Sequence, residues 1–124
     1  MNQRWLKECD EGFTAIDSTS KDTSFFVSGD PKSLSLRVRY YRHQKTKALL
    51  AKIWFGPKTR GPPGHAHGGS IAAALDEAMG VSAWVNDYPV LAGEITIRFK
   101  RAVPLRSFCY IEAHLGPVNG RKVH

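Results

Sequence analysis

Residues 61–70 read Gly-Pro-Pro-Gly-His-Ala-His-Gly-Gly-Ser and bring two histidines and two adjacent glycines to the start of a helix-forming run. Gly68 and Gly69 would let a ligand approach the backbone closely. The free N–H groups of a first helical turn, at the positive end of its dipole, suit an anion or a polarised carbonyl. The same two glycines also suit a plain turn. Asp76 follows His67 by nine residues and so lies inside the helix. Its helical neighbours three and four positions away are Ala72, Ala73, Met79 and Gly80, none of which can pair its charge. A carboxylate in an apolar helix is costly unless it meets a partner, water or substrate, which makes Asp76 a candidate for acid–base or nucleophilic work. The alternative is that Asp76 faces solvent or bonds a neighbouring loop. Glu77 is the competing carboxylate in a similar setting.

Other chemistries fit these residues less well. His65 and His67 form an H-x-H pair, but no CxxC and no second histidine at helical spacing supplies further ligands, so no metal is expected. A Ser-His-Asp hydrolase triad would need a serine on a sharp strand-to-helix turn, and no G-x-S-x-G is present. Cys9 and Cys109 are isolated and lack metal-ligand spacing, so neither a disulfide framework nor a zinc ribbon is indicated. A reducing, cytoplasmic setting is the expectation.

The elements that must position these side chains follow from periodicity. Leu34, Leu36, Val38 and Tyr40 alternate with Ser35, Arg37 and Arg39, which predicts a strand over 34–42 with one buried face. A polar break from His43 to Thr46 separates it from the apolar run 48–55, and the two should pair as a hairpin. The Gly and Pro content of GPKTRGPPG makes residues 56–64 a loop. A helix is expected from about residue 69 to 85, with Ile71, Leu75, Ala78 and Val85 buried. Between Ile71 and Val85 only Asp76, Glu77 and Ser82 carry polar side chains, so this helix should be wrapped nearly all round. Ile95, Ile97 and Phe99, alternating with Glu94, Thr96 and Arg98, read as a strand of the wrapping, and residues 107–115 read as another. Asn119-Gly120 is a hairpin turn signal, after which 121–124 begins a further strand. Residues 1–33 are a leading segment, a short helix followed by a loop through Gly29, Asp30 and Pro31. The order strand, strand, helix, strand, strand is an α+β layout in which a curved antiparallel sheet wraps a central helix.

A chain of 124 residues fits one domain. Its 42% hydrophobic and 23% charged residues exclude intrinsic disorder. The formal charge of +7 suits a partner carrying phosphates, whether nucleic acid or a phosphorylated ligand. The basic groups Arg37, Arg39, Arg42, Lys45, Lys47 and Arg98, Lys100, Arg101, Arg106 are spaced like a solvated face, so no nucleic-acid partner is expected. No window has the apolar length of a membrane span or signal peptide, and no membrane association is expected.

Through GPPGHAHGGSIAAALDEAMG, EITIRFKRAVPL and NGRK the chain resembles the hotdog-fold acyl-CoA thioesterases. The branch concerned contains phenylacetyl-CoA thioesterase and thioesterase superfamily members 4 and 5. The likeness covers residues 34–124, the expected hotdog core, and leaves 1–33 outside. It implies hydrolysis of an acyl-CoA to free acid and CoA, with CoA as part of the substrate and no separate cofactor. It also implies a homodimer or dimer of dimers with the site between subunits. Asp76 would be general base or nucleophile, the Gly68 and Gly69 amides would polarise the thioester carbonyl, and His67 would shape the turn. Lys100 and Arg101 are expected near the CoA phosphates, with Arg121 and Lys122 behind them, and Glu77 and Glu94 on the substrate side. Ala92 stands where members 4 and 5 carry a hydroxyl that helps the attacking water, a role Glu94 on the same strand face would take over. The departure at Ala92 motivates one rival, a hotdog protein that binds acyl-CoA without turnover. A basic nucleic-acid-binding module is the other rival. The branch's sheet continues beyond the NGRK turn, so further residues or a partner are expected to cover the edge left by 107–115.

Overall fold

The computed structural model describes residues 12–16 and 25–124. Four antiparallel strands form the sheet in the order β1-β2-β3-β4: β1 (Phe13–Ala15), β2 (Leu36–His43), β3 (Leu49–Phe55) and β4 (Ser107–Ala113). The expected hairpin is β2–β3, with Leu36 opposite Phe55 and Arg42 opposite Leu49. β4 continues the sheet, with Leu49 opposite Ala113 and Phe55 opposite Ser107. Asn119-Gly120 turns a small separate hairpin of β5 (Val118–Asn119) and β6 (Lys122–Val123), where Gly120 takes a left-handed φ of 60°.

The apolar run of β3 makes it the centre of the core, because Leu49, Ala51 and Ile53 on its inner face are fully buried. Against that face lies the helix α1 (Gly68–Trp84), which presents Ala74 and Ala78, both fully buried. Val27, Leu36, Phe55, Ala66 and Ala113 complete the cluster. At its C-terminal end Asp87 enters the left-handed region at φ 68°, and the Tyr88 amide donates back to the Ala83 carbonyl at 2.9 Å. This closure satisfies a carbonyl that the helix leaves open. Asn86 fastens the same end, donating to the Ser82 carbonyl at 2.7 Å and to Lys47 on the β2–β3 loop at 3.3 Å.

Several expectations need correction. Within one chain the helix is covered on one side and is not wrapped all round. Ala78 is buried as expected, Ile71 and Val85 are partly buried against the core, and Leu75 is half-buried outside it. Asp76, Met79 (46% exposed) and Trp84 (59% exposed) face outward. The alternating segment 94–99 forms no strand and pairs with none among the described residues, and Phe99 is 58% exposed. Alternation reports which face a side chain takes, and leaves the partner of the strand undetermined. Residues 56–64 are more ordered than a plain loop, with a 3-10 turn over Pro57–Thr59 and a β-bridge between Arg60 and Ala66. The expected leading helix falls largely outside the described residues. In the part that is described, β1 and a turn from Phe25 to Gly29 stand instead, the turn seated by buried Val27. The outer side of β4 has no strand beside it among the described residues, as expected of that edge.

Candidate functional site

The residues before α1 are held by a dense set of backbone bonds. The His67 amide donates to Thr59 O at 2.6 Å, Ala66 to Val103 O at 2.8 Å, Gly61 to His65 O at 2.9 Å, and Leu105 to Gly64 O at 3.0 Å. Gly61 has a steric reason to be glycine, because a Cβ there would lie 2.7 Å from the Cα of His67. His67 is the N-cap, with extended φ −65° and ψ 138°. Its Nδ1 accepts the Gly69 N–H at 2.8 Å, which fixes Nδ1 as the unprotonated ring nitrogen. His65, by contrast, turns its Nδ1 to the Pro63 carbonyl at 2.8 Å.

This geometry divides the roles expected of the two glycines. The Gly69 amide is occupied by His67, so it is not available to a ligand in this arrangement. The Gly68 amide, at the first helical position, has no acceptor among the described residues. Gly68 is therefore the open donor at the positive end of the helix. The ring of Phe99 lies beside it, since a Cβ on Gly68 would stand 3.6 Å from Phe99 Cε1 and Cζ. Sequence reasoning gave Phe99 a strand position and missed that it flanks the helix start.

Asp76 and Glu77, alike in sequence, are separated by the fold. Successive residues of a helix point about 100° apart. Ala74 and Ala78 face the sheet, so Asp76 stands on the opposite, exposed side. It makes no hydrogen bond or ion pair among the described residues. Glu77 turns inward, where Oε1 accepts from the Ser28 hydroxyl at 2.7 Å and Oε2 from the Tyr40 hydroxyl at 2.6 Å. Burial first, then this hydrogen bond and the Glu77 charge, push the Tyr40 hydroxyl far above the usual phenol range. Both Glu77 oxygens are thus engaged by the fold, whereas the Asp76 carboxylate has no such partner among the described residues. Glu94, Lys100 and Arg101 are exposed, and Lys100 and Arg101 follow Phe99 directly. Arg121 and Lys122 are exposed on the β5–β6 hairpin.

Two shallow grooves, of about 370 and 500 Å³, lie around the far tip of the β2–β3 hairpin and contain none of these residues. Among the described residues no group of three or more His, Cys, Asp or Glu side chains is placed to hold a metal. Burial pushes the half-buried, free Cys109 thiol up, a shift opposed by its hydrogen bond with Ser107. Cys9 lies outside the described residues. No helix among the described residues is long and apolar enough to cross a membrane.

An antiparallel sheet carrying one long helix is the α+β arrangement of a hotdog domain. Residues 63–123 match the Thioesterase superfamily. It is similar to the acyl-coenzyme A thioesterase THEM4 of Xenopus laevis, with 35% identity over 94 residues, covering 76% of this chain and 42% of the relative. THEM4 of Bos taurus is 31% identical over 98 residues, covering 79% and 40%. The acyl-coenzyme A thioesterase THEM5 of Homo sapiens is 33% identical over 69 residues, covering 56% and 28%. The chain thus spans less than half the length of these relatives.

Proposed function

We propose that this chain hydrolyses an acyl-CoA thioester to the free acid and CoA, with two copies of the chain forming each site. The observation that carries this reading is the pairing, on one helix, of a Gly68 amide and an outward Asp76 that both lack partners among the described residues. The Gly68 N–H would donate to the thioester oxygen as it gains negative charge. Removing one such donor costs on the order of 10²–10³ in rate. The Asp76 carboxylate would take a proton from water as the water oxygen attacks the carbonyl carbon. The C–S bond then breaks, and the proton passes from Asp76 to the departing CoA thiolate. Direct attack by Asp76, forming an anhydride that water then cleaves, is the other route open to the same group.

Helix geometry gives the reason for two copies. Eight residues at 1.5 Å each put Asp76 about 12 Å along the axis from Gly68. A base has to come within about 3 Å of the proton it takes, directly or through one water. One reacting carbonyl therefore cannot use both groups of a single helix. A second copy packed with its outward helix face antiparallel to the first sets Asp76 of each beside Gly68 of the other. The exposed Met79, Phe99 and Leu91 supply apolar surface for such a contact. Lys100 and Arg101, next to Phe99, would meet the CoA phosphates.

The test is thiol release from a panel of acyl-CoAs, measured beside acyl-CoA binding. Asp76→Asn keeps size and hydrogen-bonding reach but cannot accept the proton. Turnover is expected to fall by on the order of 10² or more with binding retained. Full activity in Asp76→Asn would overturn the mechanism. Ala92 supports a second reading, binding without turnover, because no hydroxyl stands there to assist the water. Tight binding by the parent chain with no thiol release would establish that reading in place of the first.

A further inference from the structure

The surface of α1 poses a problem of aim. Ala72, Ala73, Ala74, Ala78, Gly80 and Ala83 make much of it small and smooth, and apolar side chains occur on all sides. Burial of such a helix changes little as it turns about its own axis, because an apolar side chain replaces another at the sheet. The direction of Asp76 nevertheless depends on that turn. At a side-chain radius of about 5–6 Å, a 20° rotation would carry the carboxylate through about 2 Å. Misplacement of a reacting group by 1 Å can cost on the order of 10² in rate.

Besides the bonds that fasten the two ends of α1, Glu77 ties the middle of the helix to the rest of the fold. Its two oxygens are held at 2.7 and 2.6 Å by hydroxyls from two separate parts of the fold, Ser28 in the 25–29 turn and Tyr40 in β2. The turn is itself anchored by Val27, 5% exposed, in the core. Two bonds diverging from one carboxylate to a turn and a strand resist rotation in either sense. We propose that Glu77 is a positioning residue that sets the rotation of α1 and thereby aims the neighbouring Asp76 at its target. The proposal rests on the hydrolytic reading for its effect on rate. The pin itself is testable without that reading. Satisfied polar contacts used in this way fix one arrangement among several of similar burial.

The experiment compares Glu77→Leu, which fills the space but makes neither bond, with Glu77→Gln. The amide of Gln accepts from one hydroxyl and donates to the other, so it preserves the pin without the charge. In Glu77→Leu, kcat is expected to fall at least tenfold while KM stays within about threefold, since aim affects the chemical step more than binding. Glu77→Gln is expected to recover kcat to within about threefold of the parent. Equal kcat in Glu77→Leu and the parent would overturn the proposal, as would equal losses in the Gln and Leu variants. If Glu77→Leu does not fold, Tyr40→Phe and Ser28→Ala, each removing one bond, take its place, and unchanged kcat in both would overturn it. A readout independent of turnover is a nitroxide label at Asp76→Cys, in a background of Cys9→Ser and Cys109→Ser. One ordered spectral component with Glu77 and a second component with Leu at position 77 is the expected result, and identical spectra refute the pin. An ordered label in the Glu77 background together with no thioester hydrolysis by the unlabelled parent chain would instead count against the enzymatic reading.

Discussion

The junction that leads into α1 and the segment from 89 to 102 meet where Phe99 lies beside Gly68, yet they are built in opposite ways. From Thr59 to His67 successive backbone groups are bonded to one another, or to Val103 and Leu105, with glycine where two backbones nearly touch. Between Leu91 and Ala102 no backbone hydrogen bond is made among the described residues, and Leu91 is 96% exposed. The first region is complete within one chain and sets the Gly68 amide in place. The second holds exposed side chains that, on the proposed function, meet substrate or a second copy. Changes in the junction should therefore act on chemistry and stability, and changes in the segment on what the chain binds.

The sharpest way to break this contrast is Gly68→Pro. Proline lacks the N–H, suits the first position of a helix, and needs an extended residue before it, which His67 already is at ψ 138°. The helix should form as before while kcat falls on the order of 10²–10³, read by thiol release with circular dichroism as the control for folding. An unchanged kcat would show that another donor polarises the carbonyl. A smaller effect is expected of Gly61→Ala, whose new methyl would push on the His67 backbone. Overpacking of this kind costs roughly 1–3 kcal/mol, visible as a lower urea midpoint. A midpoint equal to the parent's would mean that the junction yields more easily than its bonds suggest. The smallest structural effect belongs to Lys100→Glu with Arg101→Glu in the segment. Stability should stay within about 0.5 kcal/mol, while KM for acyl-CoA rises roughly tenfold and the rise shrinks with added salt. A loss of stability with KM unchanged would place these two residues in the scaffold instead.

Legibility in the sequence follows the same division. The β2–β3 hairpin could be read because alternation and a polar break determine both faces and the turn. The helix could be read because its run is long. The turn at Asn119-Gly120 announced itself by residue type. The pairing of the 94–99 segment could not be read, because period-two alternation is satisfied by any neighbour that buries one face. β1, only Phe13–Ala15, is too short to carry a period. At the site, the HGG junction and Asp76 stood out as residue types, but the choice between Asp76 and Glu77 did not. A helix apolar on every side hides which side meets the sheet, and the two carboxylates are separated by exposure and by the Ser28 and Tyr40 bonds, which spacing does not encode. The capture of the Gly69 amide by His67 was equally hidden, since it depends on a side-chain torsion that spacing does not encode.

The 12 Å between Gly68 and Asp76, eight residues at about 1.5 Å each, has a consequence in the language of genetics. A pair of chains that share two sites crosswise distributes its defects crosswise too. A copy lacking the amide at position 68 joined to a copy lacking the carboxylate at position 76 has one site with both faults and one site with neither. If the proposed shared sites hold, two null alleles of this kind, each inactive alone, would complement one another within a single gene, and no mixture of two Asp76 alleles would.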